Sequence, residues 1–124
     1  DASNTTVSAG LNADGSLKGA SDWTLTKTLV KYGAAIGANS TIVCGTTIGR
    51  WALVGSGSVV TKDVPDFGLV RGNPARLAAF VSPRGKKMET VAPPKEGAAT
   101  VTMRCPESGD TYEVDAAAWR TLFT

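Results

Sequence analysis

An aliphatic residue recurs at every sixth position from Val30 onward: Val30, Ile36, Ile42, Ile48, Val54 and Val60. Four residues after each of the first five stands a small side chain, at Ala34, Ser40, Thr46, Ala52 and Ser58. Glycine directly follows the aliphatic residue at Gly37, Gly49 and Gly55. A period of six is neither the 3.6 of a helix nor the two of a plain strand. It fits a short strand and a turn, repeated so that each aliphatic side chain enters one shared interior. Small residues are needed where the backbone bends, and glycine is expected there for positive φ. The β-branched Val and Ile suit stacked strands in which like side chains form ladders. The register breaks at Val64, immediately before Pro65. The interior residues are therefore scaffold, and function must lie on the outside or between subunits.

Composition narrows the field. The chain has 124 residues, enough for one domain with a modest core. Its 14 glycines and lack of helix-favouring stretches agree with a turn-rich, all-β structure. A net charge of +2 is too small to imply nucleic acid, and the Arg84, Lys86, Lys87 cluster reads as solvated surface. No segment has the roughly 18 apolar residues of a membrane span, and residues 1–22 do not read as a signal peptide. The expectation is a soluble, cytoplasmic protein. Cys44 and Cys105 lie in unrelated segments; a disulfide is one reading, and reduced thiols the simpler one. The chain starts at Asp1 without a Met, so a fragment of a longer chain is expected. It contains no histidine, which excludes from these residues a Ser-His-Asp triad, a His-ligated zinc site and any His base.

Residues 28–76, TLVKYGAAIGANSTIVCGTTIGRWALVGSGSVVTKDVPDFGLVRGNPAR, resemble the hexapeptide-repeat acyltransferases. The resemblance rests on the repeat and on its ending, GSGSVVTKDVP followed by GNPAR. With the preceding NADGSL (Asn12–Leu17) and SDWTL (Ser21–Leu25), the chain is more narrowly similar to N-acetyltransferases of nucleotide-linked amino sugars used in bacterial surface glycans. The likeness covers roughly residues 11–88. It implies a left-handed parallel β-helix forming a triangular prism, a homotrimer, and acetyl-CoA as cosubstrate in the groove between neighbouring prisms. Six hexads make only about two coils, fewer than solenoids generally need, so further coils are expected upstream of Asp1. The division expected is residues 1–27 as a partial coil and acceptor-side loop, 28–76 as the coils, and 77–124 as a C-terminal tail.

By that resemblance, the outer backbone around Ala34, Ala35, Ala52, Gly55 and Gly57 lines the pantetheine arm, or these residues simply fit the corners. Lys62, Arg71 and Arg76 are the candidates for the CoA phosphates, Arg by paired hydrogen bonds and Lys as a point charge. Lys62 paired with Asp63 at the surface is the alternative. On the acceptor side the candidates are Asn4, Asp22 and Trp23, with Asn4 the one catalytic candidate; the surrounding SNTTVSAG lacks the acidic residue, proline and arginine of the family pattern. Trp23 also suits packing. Attack by an amine needs no prior proton removal when a fraction is already neutral, so the missing histidine favours N- over O-acetylation, provided none lies upstream. The alternatives are an O-acetyltransferase with an upstream histidine and a non-catalytic trimeric β-helix that binds a partner.

Past Arg76 the repeat stops. Leu77–Val81, Lys87–Val91, Thr100–Arg104 and Thr111–Val114 read as strands, and Asp115 as the cap of a short helix over Ala116–Leu122. Some relatives carry a zinc-ribbon tail here, built on paired Cys-x-x-Cys-Gly knuckles. The corresponding VSPRG (Val81–Gly85) and RCPESG (Arg104–Gly109) keep only Cys105, so the resemblance implies a β-hairpin tail of ribbon shape without its metal.

Overall fold

A computed structural model describes residues 2–6, 13–16 and 24–124, of which 2–6 and 24–26 by their backbone alone. The hexads wind into a solenoid of parallel two-residue strands. After an antiparallel pair, β1 (Ala2–Thr6) and β2 (Thr24–Val30), come β3 (Ala35–Ile36), β4 (Thr41–Ile42), β5 (Thr47–Ile48), β6 (Leu53–Val54) and β7 (Val59–Val60). Pairing runs between coils: β2 with β5, β3 with β6 and β4 with β7, so that Val30 stacks on Ile48, Ile36 on Val54 and Ile42 on Val60. Three sheets follow directly from three hexads per coil.

The break at Val64 is a shortening, and the stack resumes after it. Val64 bridges to Ile48, and β8 (Gly68–Gly72) pairs with β6 to put Val70 on Val54. This last coil is two residues shorter than those before it, and two aspartates fill the gap. The Thr47 N–H donates to Asp63 Oδ1 at 2.8 Å, and the Arg50 N–H to Asp66 Oδ1 at 2.7 Å. Neighbouring coils satisfy such donors with backbone carbonyls; Leu29 N–H, for example, bonds the Thr46 carbonyl. A buried or half-buried N–H left unpaired costs more than a bond gains, which is why the shortened coil carries these side chains.

The corners correct one expectation. Gly37, Gly49 and Gly55 do not have positive φ; they are small because the next coil passes close by. A Cβ on Gly49 would lie 2.5 Å from the Asp66 nitrogen, and one on Gly37 the same distance from the Ser56 nitrogen. The left-handed residues stand three positions after each aliphatic one, at Gly33, Asn39, Gly45, Trp51 and Gly57, and then at Phe67. Trp51 (φ 57°) and Phe67 (φ 64°) hold that conformation at roughly 1–2 kcal/mol each. Cross-coil bonds offset this: Trp51 N–H donates to the Tyr32 carbonyl (3.0 Å) and Phe67 N–H to that of Arg50 (2.8 Å).

Burial is complete in the second tier, where Ile48, Ala52, Val54 and Val60 are at most 1% exposed. Full burial of the Ile48, Val54 and Val60 side chains stabilises the fold by about 1.5–3 kcal/mol each. The first tier is more open, with Ile36 42% exposed. The small residues tie the corners from within: Ser58 Oγ donates to the Gly55 carbonyl at 2.6 Å and Thr46 Oγ1 to that of Val43 at 2.8 Å.

β9 (Ala75–Phe80) returns antiparallel to β8 and leads from the solenoid core into a second one. There β10 (Glu89–Thr90), β11 (Thr100–Arg104) and β12 (Thr111–Asp115) form an antiparallel sheet. Phe80, Met88, Val101, Met103 and Val114 make its interior. Asp115 caps α1 (Ala116–Arg120), its Oδ2 accepting the Ala118 N–H at 2.9 Å, and a 3-10 turn over Thr121–Phe123 follows. Cys44 and Cys105 are not joined in a disulfide. Among the described residues no helix is long and apolar enough to cross a membrane.

Candidate functional site

The two coil-ending motifs, VVTKDVP and GNPAR, meet at the base of the solenoid. Lys62 and Arg76 line one groove there, with Asp63, Pro65, the rung residues Val60, Val64 and Val70, and Ala75, Leu77, Ala118 and Thr121. Arg71 is placed next to them by hairpin register: in the β8–β9 pair it stands directly opposite Arg76. Like charges facing each other across an antiparallel pair are destabilising unless an anion lies between or beside them.

None of the three cations has an acidic partner among the described residues. Asp63 spends Oδ1 on Thr47 and forms no ion pair with Lys62. Arg76 donates only to the neighbouring Ala75 carbonyl (3.1 Å). Elsewhere arginines do find acids: Arg50 pairs with Asp66 at 3.1 Å, Arg84 with Glu107 and Arg104 with Glu89 at 3.5 Å. Of the Arg84, Lys86, Lys87 cluster, Arg84 and Lys86 both pair with Glu107. The base of the solenoid is thus an exposed patch of uncompensated positive charge with phosphate-binding chemistry.

The small residues divide by the direction of their side chains. Ala52 is 1% exposed inside the core and Ala34 packs against the same cluster, so each offers the outside only its backbone. Ala35 is exposed on β3, and its N–H donates to the Ala52 carbonyl at 2.9 Å. Ala35 and Ala52 line a shallow groove with Gly33, Trp51, Leu53 and the tail residues Val81, Ser82 and Pro83. Gly55 and Gly57 belong to the next corner; a Cβ on Gly55 would approach the Arg71 Cβ to 3.2 Å, while Gly57 is open to solvent. Asn4 lies in β1, opposite Thr26. Asp22 and Trp23 lie outside the described residues.

Sequence reasoning passed over Asp63 and Asp66 as coil splints, and over the aromatic corner where Tyr32 meets Trp51 edge-on at 5.3 Å. The four-residue step from Val60 to Val64 is the signal that two backbone acceptors are missing and must be supplied by side chains.

In the tail, the SPRG and CPESG turns face each other around the Cys105 thiol. Described residues contain no cluster of three or more His, Cys, Asp or Glu that would hold a metal ion. Hydrogen bonds from the Ser82 hydroxyl, then from the Ser108 hydroxyl and N–H, favour the thiolate over the thiol. They outweigh desolvation and lower the Cys105 pKa from 9.0 to about 7. A folded pKa below the unfolded one means that the native state binds fewer protons between about 7 and 9. Stability from this group is fully present above the unfolded value and is lost as pH falls through about 7. Thermal melts of the chain should therefore rise between neutral and mildly alkaline pH, and Cys105→Ala should remove that rise. A slope unchanged by the substitution would assign the pH dependence to other groups.

No family model matches the chain. Over 65 residues it is 52% identical to the dTDP-3-amino-3,6-dideoxy-alpha-D-galactopyranose 3-N-acetyltransferase of Aneurinibacillus thermoaerophilus, a match covering 52% of this chain and 34% of that enzyme. Among solved structures it is similar to a hexapeptide-repeat acetyltransferase of Vibrio cholerae complexed with acetyl coenzyme A (TM-score 0.50, 32% identity, 60% of this chain and 40% of that one). It is likewise similar to a maltose O-acetyltransferase of Clostridium difficile (TM-score 0.50, 29% identity, 60% and 39%). The chain spans about a third of the length of the first of these relatives. A mostly β fold of stacked parallel hexads is what the chain shares, in sequence and in structure, with these hexapeptide-repeat acetyltransferases.

Proposed function

We propose that the protein to which this chain belongs transfers an acetyl group from acetyl-CoA to the amine of a nucleotide-linked amino sugar. The observation that carries the reading is the uncompensated patch of Lys62, Arg71 and Arg76 at the coil end, suited to the phosphates of CoA. The amino-sugar acceptor is supported by the 52% identity to a nucleotide-sugar N-acetyltransferase. On this reading the coils are left-handed, the active form is a cytoplasmic homotrimer, and acetyl-CoA lies between neighbouring solenoids. Residues 1–27 then serve the acceptor side through Asn4, Asp22 and Trp23, residues 28–76 form the coils, and residues 77–124 are a ribbon-shaped tail without a metal. The outer backbone at Ala34, Ala35, Ala52, Gly55 and Gly57 supplies the pantetheine wall.

The chemistry asks little of side chains. The neutral amine attacks the thioester carbonyl, a C–N bond forms, and negative charge gathers on the oxygen, where fixed N–H donors stabilise it. Collapse breaks the C–S bond; the amide remains, and the CoA thiolate takes up the proton the amine sheds. No histidine is required for this sequence of steps, and the chain has none. A hydroxyl acceptor would need a base to remove its proton. That second reading has one observation in its favour, the likeness to a maltose O-acetyltransferase.

Release of free thiol from acetyl-CoA by the full-length protein, with a panel of nucleotide-linked amino sugars and their hydroxyl counterparts, tests both. Turnover on amines is expected. Turnover on hydroxyls alone would replace the first reading with the second, and binding of CoA without turnover on either would end both.

A further inference from the structure

Two arginines stand opposite each other at the end of the solenoid because of a turn. Asn73 and Pro74 form the loop between β8 and β9, so that Gly72 faces Ala75 and Arg71 faces Arg76. A loop this short fixes the register. Opposed residues of an antiparallel pair project from one face with Cβ atoms about 4.5–5.5 Å apart, and both arginines are exposed. Gly55 leaves space beside the Arg71 stem, where a Cβ would come within 3.2 Å of the Arg71 Cβ. Arg76 donates to the Ala75 carbonyl, and neither guanidinium has a carboxylate partner among the described residues. The Lys62 end of the patch differs. It has a single ammonium, and the next residue, Asp63, lines the same groove and partly offsets its charge.

Charge and donor geometry decide what each end takes. Two guanidiniums on one face offer two planar forks, each able to grip phosphate oxygens by paired hydrogen bonds. A phosphomonoester has three terminal oxygens and a charge of about −1.5 to −2 at neutral pH, which suits both forks at once. Each phosphate of a diphosphate diester has fewer terminal oxygens and a single charge, which one point-like cation neutralises. Both substrates of the proposed reaction carry a diphosphate diester; CoA alone adds a monoester, on its ribose. We propose that Arg71 and Arg76 together bind the ribose phosphomonoester of acetyl-CoA while Lys62 serves the diphosphate. This assignment, which rests on the proposed function, makes the arginine pair a determinant of cosubstrate choice. A nucleotide-linked sugar, lacking the monoester, gains nothing from it.

Calorimetry of the full-length protein with CoA and with 3′-dephospho-CoA tests the assignment. Loss of the monoester removes about five- to twelvefold from Arg76 and about threefold from Arg71, both discounted for exposure. The parent should therefore bind 3′-dephospho-CoA about 15- to 40-fold more weakly than CoA. Arg71→Gln with Arg76→Gln should weaken CoA alone and bring the two ligands within about twofold of each other. Lys62→Ala should weaken both alike and keep the preference. Equal affinity of the parent for the two ligands would overturn the proposal, while turnover of acetyl-CoA would leave the proposed function standing. A preference that survives the double arginine variant, or that Lys62→Ala removes, would put the monoester elsewhere and overturn it as well. Binding of neither ligand would instead remove the proposed function, and the assignment with it.

Discussion

Replacing Gly49 with alanine is expected to lower the melting temperature of the chain by about 10 °C or more, a loss of at least about 3 kcal/mol. The added methyl has nowhere to go. It would sit 2.5 Å from the Asp66 nitrogen and 2.6 Å from the Pro65 carbonyl carbon, both backbone atoms of the next coil. Side chains yield by changing rotamer, but a backbone pinned by Gly49 N–H to the Val64 carbonyl (2.9 Å) and by Arg50 N–H to Asp66 Oδ1 (2.7 Å) cannot. Coil separation is fixed by the strand hydrogen bonds, so relief requires breaking the stack between second and third tiers, where Ile48 and Val64 meet. Gly57→Ala is the matched comparison. Its φ of +73° makes it the more suspicious glycine by backbone conformation, yet a Cβ there has no neighbour within 4 Å. It should cost only about 1 kcal/mol. Thermal or denaturant unfolding of the two variants beside the parent chain decides the matter. Equal destabilisation would mean that conformation, and not coil spacing, governs the glycines of this repeat.

That contrast marks how far the fold was legible in the sequence. The period of six names the interior residues directly, because Val30 through Val60 are the only way to give three sheets one core. It does not distinguish a glycine needed for close approach from one needed for positive φ, since both appear as the same letter. Trp51 and Phe67 at left-handed corners carry no local signal at all: bulky residues avoid that region, and only cross-coil bonds hold them there. The break at Val64 was visible, but its outcome depended on Asp63 and Asp66 supplying acceptors that a shortened backbone lacks. The tail's strands and the Asp115 cap followed from turn residues and a capping side chain, which act locally. For the site, Lys62 and Arg76 were readable as cations in two ending motifs. Their meeting in one groove, and the register that sets Arg71 against Arg76, are properties of the β8–β9 return and of no single segment. Ala34 and Ala52 were picked for smallness, a trait that interior and exterior corner positions share.

Removing the two groove cations together, Lys62→Ala with Arg76→Ala, is expected to raise KM for acetyl-CoA by about 30- to 150-fold in the full-length protein, with kcat reduced less than about threefold. A hydrogen bond from a charged donor contributes about 1.5–3 kcal/mol when it is shielded. Both side chains are exposed here, so solvent screening brings each to about 1–1.5 kcal/mol, and the pair to the stated range. The split between KM and kcat follows from where the charge sits. Phosphates do not change charge during acetyl transfer, so binding them stabilises ground state and transition state alike. Arg71→Ala alone should do less, because it relieves the like-charge contact with Arg76 while removing one donor; its expected effect is about threefold. Raising ionic strength should weaken acetyl-CoA binding in the parent and much less in the double variant, since the screened charges are then gone. The same substitution leaves the coil untouched: neither side chain donates to the strand ladder, and Asp63 keeps its bond to Thr47. A double variant that melts like the parent and retains its KM would remove the coil end from the cofactor's path, and a fall in kcat with KM unmoved would place these cations at the reacting carbonyl instead.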